Sequence, residues 1–164
     1  TGLYWYYFAQ FADFSGNLDL HGSTFEGADL SQSWFRDANL SGAKMLGANL
    51  RGARLEWSRL DSTSLADSDV RDADFQGTTE RGFTREQLYS TQSYRSHALG
   101  QIGLASNDLT SWDFSHQDMS RARLDRAILS ATDLRAAVLD GAQLNEATWS
   151  GANLANARIQ GASF

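Results

Sequence analysis

The sequence contains no cysteine and no proline among its 164 residues. The absence of cysteine excludes disulfides, thiol catalysis and cysteine-based zinc sites, and it leaves the redox compartment undetermined. The absence of proline fits a backbone in which nearly every N–H donates to a neighbouring segment, because proline lacks that donor. The 14 glycines suit a chain that turns repeated sharp corners. Together these features favour continuous stacked strands.

A long apolar run and an excess of positive charge are also missing. No stretch reaches the roughly 18 apolar residues of a membrane-spanning helix, so the sequence predicts no membrane span. The net charge of −6 disfavours nucleic acid as a partner. The length suits one domain, which we expect to cover residues 1–164. Because the chain begins at Thr1 without a methionine, we expect a processed or trimmed form without any targeting peptide.

What the sequence does contain is a large apolar residue at every fifth position. These residues run from Leu20 to Phe75 and again from Leu99 to Phe164, and a small residue precedes most of them by two places. A helix repeats near 3.6 residues and a simple strand at about 2, so neither explains a period of five. Residues i−2 and i of an extended segment point to the same side. The pattern therefore predicts a coil of short sides with a corner in each repeat, in which every side places one large and one small residue inside.

Two segments depart from this period. Residues 1–17 are rich in aromatic side chains, and we predict that they cap the first coil, although an exposed aromatic surface for a partner is the alternative. The first repeat block covers residues 18–75. Residues 76–93 break the phase, and we predict a helical insertion there, with Thr84 as N-cap and Gln87 completing a capping box.

The insertion is expected to pack on the coil through Leu88 and Phe83. We interpret it as a structural bracket, and the alternative is a loop that contacts a partner. The second repeat block covers residues 94–164, and its first inner positions carry bulky residues where small ones are expected: His97, Ile102, Asn107, Trp112 and Gln117. The coil there should be wider or differently filled.

At the C-terminal end, Phe164 is in phase with the repeats and has no cap behind it. An open β edge tends to pair or aggregate. We therefore expect either a longer protein or self-association through this solenoid end.

The repeat closely resembles that of the pentapeptide repeat family, whose motif is Ala-(Asp/Asn)-Leu-x-x. The motif stands at Ala28-Asp29-Leu30, Ala38-Asn39-Leu40, Ala48-Asn49-Leu50, Ala73-Asp74-Phe75 and Ala152-Asn153-Leu154. The resemblance implies an all-β solenoid, namely a right-handed quadrilateral β-helix with four repeats per coil. Residues twenty apart would then stack, and about seven coils would form a rod about 33 Å long. The segment from Gly82 to Thr91 looks like an insertion of some exported bacterial members, which favours an exported or periplasmic location over a cytoplasmic one.

No group of residues typical of catalysis is present. The three histidines, His21, His97 and His116, lack a second histidine or carboxylate at a metal-site spacing, and the repeat phase predicts an inner position for His97. The glycines of Gly100-Gln101-Ile102-Gly103 lack the lysine and the strand–helix context of a phosphate loop. We therefore expect no catalytic residue, no cofactor, no metal and no enzymatic activity.

The outward positions are more informative. Stacking at twenty residues puts Arg54 over Trp34, where a cation–π contact would contribute about 0.5–1 kcal/mol. Residues 31–60 carry five positive and two negative charges, whereas residues 61–80 carry one and six. The predicted partner surface consists of Trp34, Arg36, Arg51, Arg54, Trp57 and Arg59, because exposed Trp and Arg are typical anchors. The alternative is a charge-mixed solvated surface.

The same register predicts two further columns. Arg126 should form a surface salt bridge with Glu146, and Asp113, Asp133 and Asn153 should stack.

The sequence favours a non-catalytic rigid scaffold or protein-interaction module whose partner is another protein. The alternative, implied by the family resemblance, is a DNA mimic that binds a type II topoisomerase such as gyrase. A duplex as long as the expected rod would carry about 20 phosphate charges, far more than this chain's net charge of −6. A rod that binds carbohydrate or another ligand through partly exposed tryptophans (Trp5, Trp34, Trp57, Trp149) is a third hypothesis.

Overall fold

The computed structural model describes residues 9–164. Within them the chain coils so that residues twenty positions apart lie side by side and form parallel β-bridges. Trp34 pairs with Arg54 and Arg54 with Asp74 in the first block, while Asp118 pairs with Val138 in the second. Each side contributes one such pair, so the β-structure of residues 9–164 consists of single bridges, and no strand longer than one bridge forms there. The predicted stacking at twenty residues is confirmed.

Each five-residue side ends in a tight turn. The N–H of Ala28 donates to the carbonyl of Phe25 over 3.1 Å, and Gly27 between them has a φ of 65°. The same left-handed conformation recurs at the corner residues of both blocks, including non-glycine residues such as Asp37. Glycine adopts it freely, whereas other residues lose about 1–2 kcal/mol. The corners therefore account for the many glycines that follow a large apolar residue by two places.

Large apolar side chains alternate with small ones in the interior. The fully buried phenylalanines are Phe25, Phe35, Phe75 and Phe114, and leucines fill most of the other large positions. At three small positions, 33, 58 and 68, serine replaces alanine and its hydroxyl donates to the carbonyl three residues earlier, as Ser58 does to Leu55 over 2.8 Å. A polar side chain is tolerated inside because it makes this hydrogen bond within the coil.

The Asp or Asn of the motif stabilises the side on which it lies. Its side-chain oxygen accepts the N–H two residues later, as Asp29 does from Ser31 over 3.1 Å and Asn49 from Arg51 over 3.2 Å. The Nδ2 of Asn49 also donates to Oδ1 of Asp29 in the adjacent coil over 3.0 Å. An amide beside a carboxylate avoids two like charges at the coil spacing of about 4.8 Å.

The expected aromatic cap, residues 1–17, is described only in part, since its first eight residues lie outside the described part of the chain. The remainder already follows the coil, because Asp13 bridges Trp34. These two residues are 21 positions apart, so one extra residue is accommodated before the regular repeats. Phe14 nevertheless stacks on Phe35, with ring centroids 4.9 Å apart.

The segment between the two blocks is helical, as predicted. It comprises a 3-10 turn at Thr79–Arg81 and two short helices, α1 at Arg85–Tyr89 and α2 at Gln92–Arg95. The predicted capping box at the start of α1 is present. The N–H of Gln87 donates to Oγ1 of Thr84 over 3.3 Å, and the N–H of Thr84 donates to Oε1 of Gln87 over 2.7 Å.

Two apolar side chains attach the insertion to the coil, as expected. Phe83 and Leu88 are buried, and Phe83 stacks on Phe75 with ring centroids 4.6 Å apart. Helix α2 crosses the expected boundary between residues 93 and 94, and the first bridge of the second block lies at Ala98.

Bulky inner residues of the second block fill the space beside the insertion. Those that are buried are Ile102, Asn107, Trp112 and Gln117. Asn107 donates to the carbonyl of Phe75 over 2.8 Å and accepts from the N–H of Thr79 over 2.9 Å, while Gln117 donates to the carbonyl of Tyr94 over 3.0 Å. The coil is therefore filled differently, by side chains that bind the inserted segment.

The inner position predicted for His97 is wrong, because this residue is exposed. His97 follows the end of α2 and has a φ of 56°, and its N–H donates to the carbonyl of Tyr94 over 3.0 Å. It therefore forms a corner, although its spacing to Leu99 matches that of an inner residue.

Two tyrosines fasten the insertion to the second block. Tyr89 and Tyr94 stack with ring centroids 4.3 Å apart. The hydroxyl of Tyr89 accepts the N–H of Asp113 over 2.5 Å, and that of Tyr94 donates to the carbonyl of Asp113 over 2.8 Å. Burial raises the pKa of both phenols, so both stay protonated at neutral pH.

The last coil leaves apolar side chains exposed. Phe164 is 63% exposed, and its ring centroid lies 5.9 Å from that of Trp149. None of the helices in residues 9–164 has the length and apolar character needed to cross a bilayer.

Packing at one corner can be separated from backbone strain with two glycines of nearly equal φ. Gly47 (φ 65°) faces open space, whereas a Cβ on Gly77 (φ 66°) would lie 2.1 Å from the ring of Trp57. We expect Gly47→Ala to lower the free energy of unfolding by about 1 kcal/mol through strain alone. Gly77→Ala should cost about 1–3 kcal/mol more through overpacking. Urea unfolding of both variants measures the difference.

The control is Trp57→Ala, introduced alone and together with Gly77→Ala. In the double variant the extra loss should disappear, because the clashing ring is gone. Equal losses for Gly47→Ala and Gly77→Ala would show that Trp57 does not pack on this corner.

Candidate functional site

Four outward side chains form a cleft on the side of the coil that carries Phe35 and Leu55. Each of these two buried residues has one cleft residue directly before it and one directly after it in sequence. The stacking of adjacent coils brings the four side chains together. They enclose about 190 Å³, and we call this site the Trp34 cleft: Trp34, Arg36, Arg54 and Glu56.

Trp34 is the exposed wall of the Trp34 cleft, with 55% of its surface accessible. Its predicted neighbour Arg54 does form the next bridge of the same column. The Arg54 guanidinium is placed by carboxylates, since its Nη1 lies 3.7 Å from both Glu56 Oε1 and Asp74 Oδ2. The indole therefore remains available to a binding partner.

Glu56 is the buried member of the Trp34 cleft, and its side chain is only 7% exposed. Its Oε1 lies 3.8 Å from Nη2 of Arg36 and 3.7 Å from Nη1 of Arg54, both longer than a hydrogen bond. Its Oε2 is buried and has no hydrogen-bond partner. Burial raises the pKa of Glu56 and the Asp74 carboxylate raises it further, while a hydrogen bond from its own backbone N–H and the two arginines oppose the shift.

Glu56 was missed by sequence reasoning. The position after a large apolar residue faces outward, and the glutamate at this position in an earlier repeat, Glu26, is exposed. The only available signal was the twenty-residue register, which stacks Glu56 on Arg36.

The structure brings together three of the six residues of the predicted partner surface. Arg51 is exposed outside the Trp34 cleft, and Trp57 is half-buried with its ring over Gly77. Arg59 is exposed and lines a separate cleft with Arg81. The remaining three, Trp34, Arg36 and Arg54, line the Trp34 cleft with Glu56.

The column of Trp34 and Arg54 continues past the insertion. Asp74 pairs with Gly103, 29 positions later, and Gly103 with Arg123. Nη2 of Arg123 donates to Oδ2 of Asp74 over 2.9 Å. A Cβ on Gly103 would lie 2.4 Å from Asp74 Oδ1 and 2.8 Å from Arg123 Nη2. Glycine at this position therefore leaves room for an ion pair that joins the two blocks.

Family models for pentapeptide repeats match most of the chain. One with nine copies of the repeat matches residues 12–54, and another with eight copies matches residues 38–77, 108–142 and 132–164. The chain belongs to the pentapeptide repeat family. The unmatched residues 78–107 contain the helical insertion, and the β-helix expected from the resemblance is the fold of this family member.

Solved structures of other pentapeptide repeat proteins are similar to this one. HetL, involved in heterocyst differentiation regulation in the cyanobacterium Nostoc sp. strain PCC 7120, is 26% identical with a TM-score of 0.37, over 93% of this chain and 72% of HetL. A protein of the Arabidopsis thaliana thylakoid lumen is 20% identical (TM-score 0.36; 88% and 63% covered). Trypsin-treated QnrB1, a plasmid-mediated fluoroquinolone resistance protein, is 16% identical (TM-score 0.42; 99% and 74% covered). A comparison with curated protein sequences finds no significant match.

The three histidines and one predicted salt bridge of this pentapeptide repeat protein lie outside the Trp34 cleft. His21 and His116 are exposed, and residues 9–164 hold no group of three or more His, Cys, Asp or Glu side chains placed to bind a metal. The predicted Arg126–Glu146 salt bridge is confirmed at 2.7 Å, and because both side chains are about 70% exposed it adds little stability.

The predicted stack of Asp113, Asp133 and Asn153 is also confirmed by their bridges. A hydrogen bond from the Arg135 guanidinium holds the pKa of Asp133 below its usual value.

The buried carboxyl of Glu56 makes stability depend on pH. Because its pKa is raised in the folded state, its contribution is fully present below its ordinary value of 4.5 and is lost as pH rises through the folded pKa. We expect Glu56→Gln to become progressively more stable than the unmodified protein between about pH 4 and pH 7. Urea unfolding across this range measures the difference.

Glu26→Gln is the matched control, since it removes the same charge from an exposed position. The account of Glu56 would be contradicted if Glu56→Gln changed the free energy of unfolding by the same amount at every pH. It would also be contradicted if Glu26→Gln produced the same pH-dependent change.

Proposed function

We propose that this pentapeptide repeat protein is a non-catalytic, rigid scaffold that binds another protein at the Trp34 cleft. We also propose that residues 1–164 form one right-handed quadrilateral β-helix of about seven coils. The observation that carries the binding proposal is an exposed Trp34 beside two exposed arginines and the buried, unpaired oxygen of Glu56.

Rigidity supports the scaffold role. Bridges join each coil to the next in both blocks, and Asp74 connects the blocks across the insertion. A binding face on such a frame is already ordered before the partner arrives, so little conformational entropy is lost on binding. Tryptophan and arginine are the side chains most often found as anchors of protein interfaces.

A selection from a displayed random-peptide library tests the binding role. Peptides selected on the unmodified protein should lose at least about 30-fold in affinity for Trp34→Ala, the effect of removing one anchor residue. Leu46→Ala and Arg59→Ala are matched controls, since both residues are exposed and neither lines the Trp34 cleft. They should change affinity less than about twofold, as expected for side chains outside the interface.

Circular dichroism confirms the fold of each variant. Equal losses for Trp34→Ala and the two controls, or no selected peptide at all, would contradict binding at the Trp34 cleft.

The second candidate function is a DNA mimic that binds gyrase, which the family resemblance suggested. It requires a long acidic face, but the column through the Trp34 cleft alternates in sign along Arg54, Asp74 and Arg123. Residues 61–80 are the most acidic part, and Arg71 and Arg95 neutralise Asp69 and Asp67 there.

A gyrase supercoiling assay separates the two candidates. We expect no inhibition of supercoiling and no protection from a fluoroquinolone when the protein is added at micromolar concentrations. Clear inhibition of supercoiling or protection from the drug would reject the scaffold function and favour the DNA mimic.

A further inference from the structure

We infer that the Trp34 cleft recognises a neutral, planar group that both donates and accepts hydrogen bonds, namely the side-chain carboxamide of an Asn or Gln on the partner. This inference rests on the proposed function, because it names the chemistry of the partner at the same site.

The need for a donor comes from Glu56. Its Oε2 is buried without a hydrogen bond, and its Oε1 lies no closer than 3.7 Å to the guanidinium nitrogens of Arg36 and Arg54. A buried carboxylate oxygen that accepts no hydrogen bond is costly, and a donor that a partner brings to this carboxylate would lower that cost. The group that enters the cleft must therefore carry an N–H or O–H.

The charges of the Trp34 cleft disfavour a charged ligand of either sign. A lysine or arginine of the partner would approach Arg36 and Arg54, whose side chains are 60% and 51% exposed. A carboxylate or phosphate would approach the buried Glu56, which has Asp74 as a second acidic neighbour. Like charges brought together in a partly desolvated site repel strongly. A neutral group avoids both repulsions.

A carboxamide can hydrogen-bond to the carboxylate and to an arginine of the cleft at the same time. Its NH₂ can donate to the Glu56 carboxylate, and its oxygen can accept from the guanidinium of Arg36 or Arg54. Its flat face can pack on the exposed indole of Trp34, and the space of about 190 Å³ is large enough for such a side chain. A nucleobase offers similar edges, but the backbone phosphates of the nucleic acid that carries it would meet a chain of net charge −6.

The test uses short peptides with acetyl and N-methylamide ends that differ in one central residue: Gln, Asn, Glu, Lys or norleucine. Titration is followed by NMR through the indole N–H signal of Trp34, assigned by its loss in Trp34→Phe. We expect the Gln or Asn peptide to bind at least about tenfold more tightly than the Glu, Lys and norleucine peptides, since one hydrogen bond to a charged group is at stake.

Glu56→Gln supplies a readout that misfolding cannot imitate. Removing the buried charge should weaken binding of the Gln peptide. It should strengthen binding of the Glu peptide, whose carboxylate can then approach both arginines. Glu26→Gln, with the same change at an exposed position, should leave every affinity unchanged.

Each other outcome overturns the inference. Tightest binding of Lys would make the cleft a cation site, and tightest binding of Glu an anion site. Equal binding of norleucine would make it an apolar contact, and no saturable shift would mean that water alone occupies it. If displayed peptides depend on Trp34 but need no Asn or Gln, the proposed function stands and this inference fails.

Discussion

The whole structure depends on a left-handed corner repeated every five residues. The turn brings the chain round so that position n meets position n + 20, and each inner residue then lies on another of the same type. This conformation is sterically unfavourable at every non-glycine corner. Burial of the stacked leucines and phenylalanines must therefore supply enough stabilisation to offset that cost. Outward side chains follow the same register, so a binding site on this surface combines residues twenty positions apart as well as neighbours in sequence.

The Trp34 cleft shows how such columns create a chemical environment. A carboxylate that would be solvated on an isolated repeat becomes buried at Glu56, because side chains of the adjacent coil and of its own side surround it. Most acidic residues on this surface hydrogen-bond the backbone or an arginine, as Asp29 and Asp133 do. Glu56 departs from that pattern because its Oε2 is buried without a partner, and departures from local consistency concentrate at functional sites.

The inner architecture could be predicted from sequence because each inner position is set by its own repeat. The capping box at Thr84 and the burial of Phe83 and Leu88 were equally local. Burial of Glu56 arises from a neighbour twenty positions away, and exposure of His97 arises from the way α2 ends. Local spacing contains none of this information.

The junction at Gly103 has a consequence for the evolution of the chain. The side that ends the first block passes directly to the second block by the Asp74–Gly103 bridge, so the inserted segment leaves and rejoins the coil without shifting its register. The register of the solenoid therefore does not fix the exposed residues of that segment, such as Arg85 and Glu86, whereas its buried residues Phe83 and Leu88 pack on the coil. This makes the exposed face of the insertion a permissive site, where sequence can be exchanged while the Trp34 cleft keeps its geometry.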